Sequence, residues 1–329
     1  MKQYSVYGIG NALVDMEFEV SAEDLKDLKI DKGVMTLIES DRQVELLDRL
    51  SDRPCKKACG GSAANTIVTI AQLGGTGFFS AKVANDETGI FYVQDLQRNG
   101  VSTNLSTTGN PDGISGTCLV FVTPDADRTM NTHLGISANF DNDNLDTDAI
   151  AASEYLYLEG YLVTSPTGKA AAIRAREVAE QSGTKTSFSL SDFNMAKFFR
   201  PGLLEIIGSG LDFIFANETE ALEMAQVKTL PEAIDYLKTI AKRFAITRGP
   251  QGSIVFDGSD LIEIAADRVE AVDTVGAGDM YAGAFLYGLT HDMDCATAGR
   301  LASKAAARIV TRYGPRLEPE ELRSLLAQF

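Results

Sequence analysis

Short β-rich runs alternate with longer stretches of helical period through most of this chain, and few architectures accept that alternation. It is the pattern of a parallel sheet with helices on both faces. The spacing predicts strands at Tyr4–Ile9, Gly77–Val83, Tyr155–Leu158, Lys185–Leu190, Asp212–Ala216 and Phe244–Thr247. Between them, Ala64–Leu73, Thr88–Asn99, Gly168–Gln181 and Pro231–Arg243 return apolar residues every three or four positions, as core-facing helices require. The expected class is α/β, a doubly wound, mostly parallel sheet flanked by helices. At 329 residues, with 44% hydrophobic and 23% charged side chains, the chain can bury a substantial core and is not intrinsically disordered.

Two stretches break the rhythm. Residues 17–38 alternate short apolar runs with acidic turns, and Thr117–Leu134 reads as a hairpin about a Pro-Asp-Ala-Asp turn. Such interruptions either decorate the surface or pair into a small separate sheet, which over a ligand cleft is a lid.

Charge narrows the partners. Against 46 Asp+Glu stand 30 Lys+Arg, a net charge of −16 and a pI near 4.6, which argues against broad attraction to nucleic acid or an anionic membrane. An anionic ligand would need a locally built site. Cys55, Cys59, Cys118 and Cys295 are too scattered for a disulfide framework, and the expected compartment is a reducing cytoplasm. Cys55 and Cys59, with only two histidines elsewhere, lack the ligands of a zinc site. The N-terminus has no signal-like apolar segment, and no run approaches the roughly 18 apolar residues that span a bilayer.

The strongest local signal is Asp273-Thr274-Val275-Gly276-Ala277-Gly278-Asp279, which follows a β-like run ending at Val272 and precedes a helix of small residues. Gly276, Ala277 and Gly278 let the backbone approach a ligand, and the unpaired N–H groups of a first helical turn attract an anion. Asp279 would repel that anion. Either it caps the helix, or it is a base that takes a proton from a nucleophile beside a phosphate.

Other fragments fall at expected strand ends or helix starts, the edge where a doubly wound sheet assembles its site. Gly60-Gly61-Ser62-Ala63-Ala64-Asn65 joins a glycine pair to an amide suited to a sugar hydroxyl, or is an ordinary turn. Asp15 lies just past the first strand, where a lone Asp is commonly a turn residue. Asn217 to Glu220 follow one strand, and Thr247 to Gly252 follow another. No GxxxxGK[ST] occurs, and Gly8-Ile9-Gly10-Asn11-Ala12-Leu13 lacks the third glycine of a dinucleotide fingerprint, which disfavours a P-loop NTPase and a dehydrogenase.

With these residues in view the sequence resembles the PfkB (ribokinase-like) family of carbohydrate and nucleoside kinases. The resemblance rests on the glycine-pair motif at 60–65, Asn-x-x-Glu at 217–220, Thr-x-Gly-x-x-Gly at 247–252 and DTxGAGD at 273–279, in the family's order. It implies a core of residues 1–14, 39–116 and 135–329 with a β lid of residues 15–38 and 117–134. It implies that Asp279 is the catalytic base, that Gly276, Ala277 and Gly278 form an anion hole, and that Asp15, Gly61 and Asn65 bind ribose hydroxyls. By the same resemblance Asn217 and Glu220 organise Mg²⁺ and phosphate through water, Thr247, Gly249 and Gly252 contact ATP, Arg128 reaches the transferred phosphate from the lid, and Asp273 lies near a site for a monovalent cation such as K⁺. The implied reaction is in-line transfer of the ATP γ-phosphoryl group to a primary alcohol.

Within the family, Gly10 to Asp15, Gly160 to Pro166, Ser189 to Ser191 and Ala216 to Ala221 are similar to adenosine kinases rather than ribokinases. That makes a ribonucleoside, adenosine at its 5′-hydroxyl, the expected acceptor, with a free pentose or hexose such as ribose or fructose as the alternative. Leu162 stands where a purine-stacking aromatic is expected, Phe193 is another wall, and Met35 and Leu37 are apolar covers from the lid. Both a monomer and a homodimer fit the resemblance. A binding protein without catalysis would be expected to lack the base, and Asp279 is present.

Overall fold

The computed structural model describes residues 2–33, 35–124 and 128–329, with the side chain of Arg128 excepted. In chain order the first elements are β1 (Tyr4–Ile9), β2 (Leu13–Glu19), α1 (Ala22–Asp27), β3 (Met35–Leu37), α2 (Ser40–Arg49), β4 (Lys56–Gly60), α3 (Ser62–Gln72), β5 (Gly77–Ser80) and α4 (Glu87–Arg98). There follow β6 (Gly116–Val122), β7 (Arg128–His133), α5 (Thr147–Ala151), β8 (Ser153–Glu159), α6 (Pro166–Ser182), β9 (Lys185–Ser189), α7 (Phe193–Phe198) and α8 (Arg200–Ile207). The last third contains β10 (Phe213–Asn217), α9 (Glu218–Ala225), α10 (Leu230–Ile240), β11 (Phe244–Thr247), β12 (Ser253–Phe256), β13 (Leu261–Ile264), α11 (Ala277–Leu289), α12 (Cys295–Ile309) and α13 (Pro319–Leu326).

Eight strands form one sheet in the order β13-β12-β11-β10-β9-β8-β1-β5. From β11 to β5 every pairing is parallel, and β12 and β13 extend the edge antiparallel. Both faces are buried, so alternate residues of each strand enter different cores. In β8, Tyr155 and Tyr157 pack on the side of α3 and α11, while Leu156 and Leu158 pack on the side of α6. β10 repeats this with Phe213 and Phe215 against Ile214 and Ala216. All six strands predicted by the spacing are present, to within a few residues at their ends.

A smaller five-stranded sheet has the order β3-β7-β6-β2-β4. β6 and β7 are the expected antiparallel pair; the turn residues 125–127 lie outside the described residues. The smaller sheet also reaches beyond the expected segments. β4 pairs antiparallel with β2, and α2 sends Leu46 into the cluster of Phe18, Leu25, Leu119 and Phe121, so residues 40–60 belong with this sheet rather than with the larger layer. The acidic turn within 17–38 is helix α1, closed by a capping box in which Ser21 and Asp24 bond each other's backbone.

The β-like run that ends at Val272 is not a strand. After β13 the chain from Ala265 to Val275 is irregular, because the N–H groups of Val272 and Asp273 go to the carbonyl of Val310, at 2.7 and 3.2 Å, rather than to a sheet neighbour. The larger sheet positions the site by its C-terminal edge. Only three residues, Gly10 to Ala12, separate the end of β1 from the start of β2, so the smaller sheet rises directly over that edge.

Candidate active site

Between the two sheets lies a cleft of about 690 Å³. Its floor is the C-terminal edge of the larger sheet, with Glu159, Ser189, Asn217 and Thr247 closing β8, β9, β10 and β11. Its roof is the smaller sheet, which contributes Asp15, Met35, Leu37, Cys118, Met130 and Thr132.

Asp279 occupies the first turn of α11, yet it does not cap that helix. Its Oδ1 accepts from Ser62 Oγ at 2.6 Å and its Oδ2 from Asn65 Nδ2 at 3.1 Å, both donors being on the first turn of α3. Burial pushes the Asp279 carboxyl above its ordinary range, and those two hydrogen bonds and the charge of Arg316 pull it back. A carboxylate that faces the cleft and is held by two hydrogen-bond donors is equipped to accept a proton.

The loop before α11 is built for close approach. Gly276 has φ +77°, and a Cβ there would stand 2.7 Å from Pro315, so glycine alone fits. Gly276 and Gly278 line the cleft, while the N–H of Ala277 points back to the carbonyl of Thr274 at 3.3 Å. Asp273 braces the loop: its Oδ1 accepts from the Val275 N–H and its Oδ2 from the Gly314 N–H, both at 3.0 Å. Gly61 has φ +90°, with the carbonyl of Asn11 only 2.3 Å from where a Cβ would be.

At the far end of the cleft Asn217 caps α9. Its Oδ1 accepts from the Glu220 N–H at 2.8 Å, while the Glu220 carboxylate accepts from the Asn217 N–H at 2.9 Å and from Nδ2 at 2.6 Å. Burial pushes the Glu220 carboxyl up to about 7. No group of three or more His, Cys, Asp or Glu side chains able to hold a metal occurs among the described residues. A divalent cation at this pair would be held through water and ligand phosphates, as Mg²⁺ commonly is.

Of the predicted site residues, Asp15, Leu37, Gly61, Asn65, Phe193, Asn217, Glu220, Thr247, Gly276, Gly278 and Asp279 line this one cleft. Gly249 and Gly252 turn the chain after β11 at φ +54° and +86°, and they do not line it. The side chain of Arg128 lies outside the described residues. Leu162 is corrected: it is 2% exposed in the core beside α6, and the aromatic that faces the cleft is its neighbour Tyr161. The turn after β8 is a 3-10 helix of Gly160–Thr164 that buries Leu162 and Val163 and leaves Tyr161 at the cleft, one residue earlier than expected.

Sequence reasoning missed Glu159 and Arg316. Glu159 is 1% exposed; its Oε1 accepts from the Asn11 N–H at 2.7 Å and Nδ2 at 3.0 Å, and its Oε2 from the Ala63 N–H at 2.9 Å. It ties β8, the β1–β2 link and α3 together, and burial raises its carboxyl to about 7. Its position at the end of a strand of apolar residues, Glu159 after Leu158, was the available signal.

Known proteins resemble the chain along nearly its whole length. Adenosine kinase of Saccharomyces cerevisiae is 26% identical over 336 aligned positions, covering 95% of this chain and 97% of that one. The solved structure of adenosine kinase from Sinorhizobium meliloti superposes with a TM-score of 0.88 at 34% identity, covering 99% of both chains. A probable sugar kinase from Rhizobium etli superposes with a TM-score of 0.89 at 32% identity, covering 100% of both. The fold is thus ribokinase-like, and the enzyme is a phosphotransferase with an alcohol group as acceptor. The model of the pfkB family of carbohydrate kinases matches residues 34–322, and the chain belongs to that family.

Proposed function

We propose that the enzyme transfers the γ-phosphoryl group of ATP to the 5′-hydroxyl of a ribonucleoside, with adenosine the preferred acceptor. The observation that carries the reading is that the cleft is lined by an apolar set of side chains as well as by polar groups. Asp15, Gly61, Asn65 and Asp279 offer acceptors, an amide and close backbone, whereas Met35, Leu37, Met130, Tyr161 and Phe193 offer thioethers, an aliphatic side chain and rings. A free sugar carries hydroxyls all round and leaves such an apolar wall without use. A purine fills it.

In this reading Asp279 takes the 5′-hydroxyl proton as the oxygen attacks the γ-phosphorus, the bond from that phosphorus to the β–γ bridging oxygen breaks, and ADP leaves. Backbone N–H groups at Gly276 and Gly278 meet the charge that develops on the transferred group. Asn217 and Glu220 would hold Mg²⁺ through water, and the ion would supply charge neutralisation for the phosphates. Asp15 and Asn65 hold the ribose hydroxyls, and Thr247, with the turn through Gly249 and Gly252, borders the nucleotide. The smaller sheet closes over the acceptor and keeps water from the phosphoryl group.

Similar proteins include both an adenosine kinase and a probable sugar kinase, so the test is a comparison of acceptors. Adenosine, inosine, guanosine, ribose and fructose are supplied at equal ATP, and kcat/KM is measured by ADP release. Adenosine is expected to lead. Ribose or fructose in first place would replace this reading with a sugar kinase.

A further inference from the structure

Arg316 lies in the segment between α12 and α13, far from every motif that points to the site, and its guanidinium bridges two elements. Its Nε donates to Asn65 Oδ1 at 2.9 Å, and its Nη1 pairs with Asp95 Oδ2 of α4 at 2.6 Å. The ion pair is mostly buried, with the two side chains 15% and 19% exposed. A guanidinium has donors and no acceptor, so the Asn65 amide can meet it only through its oxygen. The NH₂ end is thereby turned to Asp279, 3.1 Å away. An amide NH₂ donates to a carboxylate and cannot accept from the O–H of a protonated acid, so this orientation favours the ionised, proton-accepting form of Asp279.

We propose that Arg316 is a positioning residue for the phosphoryl transfer: through Asn65 it fixes which end of the amide faces Asp279, and so keeps that carboxylate ionised and aimed into the cleft. The neighbouring Pro315 adds to the same effect. It lines the cleft and abuts Gly276, so the segment that delivers the guanidinium also backs the glycine loop. The titratable and charged groups whose fields reach Asp279 are Arg316, which favours its ionised form, and Glu159, Tyr157 and Tyr161 from β8 and the turn after it. Arg316 is the positive one among these.

The inference rests on Asp279 acting as base, and the experiment separates the two. The pH dependence of kcat/KM is measured with the best acceptor for the wild type, Arg316→Met, Asp95→Asn and the double variant Arg316→Met/Asp95→Asn, which leaves no buried charge unpaired. Arg316→Met and the double variant are both expected to lose about 10- to 100-fold in kcat, because a hydrogen bond from a charged group is lost and the amide is free to turn. Their acid limb is expected to move to higher pH by about half to one unit. Asp95→Asn still accepts from Nη1 and leaves the arginine charge less neutralised, so its limb is expected to move the other way with kcat within about 2-fold of wild type.

Arg316→Lys keeps a charge without the planar fork, and it is expected to restore the limb more than kcat. An unmoved acid limb in Arg316→Met and the double variant, whether kcat falls or not, overturns the proposal, since a purely structural brace would lower kcat without changing the base. An Asp279→Asn variant with normal turnover would bring down the base reading and this inference together. An inactive Asp279→Asn beside an unmoved limb in Arg316→Met brings down this inference alone.

Discussion

Ser62 Oγ donates to Asp279 Oδ1 at 2.6 Å across 217 positions of chain, so the first residue of α3 and the third of α11 hold each other in one turn-to-turn contact. The two helices pack on the same face of the larger sheet, with Thr69 of α3 against Gly283 of α11, where a Cβ would meet Thr69 Cβ at 2.7 Å. Close packing of the helices is what brings the carboxylate to the glycine-pair segment. The Asp279 carboxylate, the Asn65 amide and the glycine turn before α11 therefore share one corner of the cleft.

If that carboxylate is the base, Asp279→Asn should fold, bind both substrates and lose about 10²- to 10⁴-fold in turnover. Thermal shift with ATP and with acceptor checks binding, and ADP release checks turnover. Near-wild-type turnover would remove the assignment.

The glycines of the loop predict different failures. A Cβ at Gly276 would collide with Pro315 and the residue has φ +77°, so Gly276→Ala should destabilise the fold by about 1–3 kcal/mol. At Gly278 a Cβ meets no atom within 4 Å, so Gly278→Val should fold with nearly unchanged stability while its side chain blocks the phosphate and lowers kcat. Urea midpoints and initial rates on both variants make the comparison. A fully active Gly278→Val would place the phosphate elsewhere.

The corrected aromatic gives a third expectation. Tyr161→Ala should raise KM for adenosine more than for ribose, because it removes a ring from the cleft lining. Leu162→Ala should instead cost about 2–5 kcal/mol of stability, as a buried leucine does, with no such selectivity. Equal effects of Tyr161→Ala on the two acceptors would contradict its place beside a base.

Buried Glu159 makes stability depend on pH. Its carboxyl is raised by burial from 4.5 to about 7, so between those values the folded chain holds more protons than the unfolded one, and this group's contribution falls as the pH rises. Glu159→Gln loses that term and also sets an NH₂ against N–H donors from Asn11 or Ala63. Its stability deficit relative to wild type should accordingly be larger at pH 5 than at pH 7.5, by roughly 1–3 kcal/mol. A deficit independent of pH, measured by urea denaturation, would deny Glu159 its raised value.

What the sequence made legible follows the range of the signal. The strand Phe244–Thr247 was readable to the residue because a buried parallel strand is a local apolar run between helical periods. The run 273–279 was readable because glycine at a positive φ and an acid in a first helical turn are local oddities. β4 was not, since Lys-Lys-Ala-Cys-Gly has three exposed residues and little alternation, and it is a strand only because β2 offers it a partner. Arg316 looked like any other surface arginine, for its partners Asn65 and Asp95 are 251 and 221 positions away. Long-range hydrogen bonds leave no period in the chain.

The most direct test of a nucleoside acceptor is a competition. Adenosine and ribose are mixed in equal concentration with limiting ATP, Mg²⁺ and the wild-type enzyme, and the phosphorylated products are resolved by ³¹P NMR. Adenosine 5′-phosphate is predicted to account for nearly all of the transferred phosphate; ribose phosphate as the main product would contradict the account.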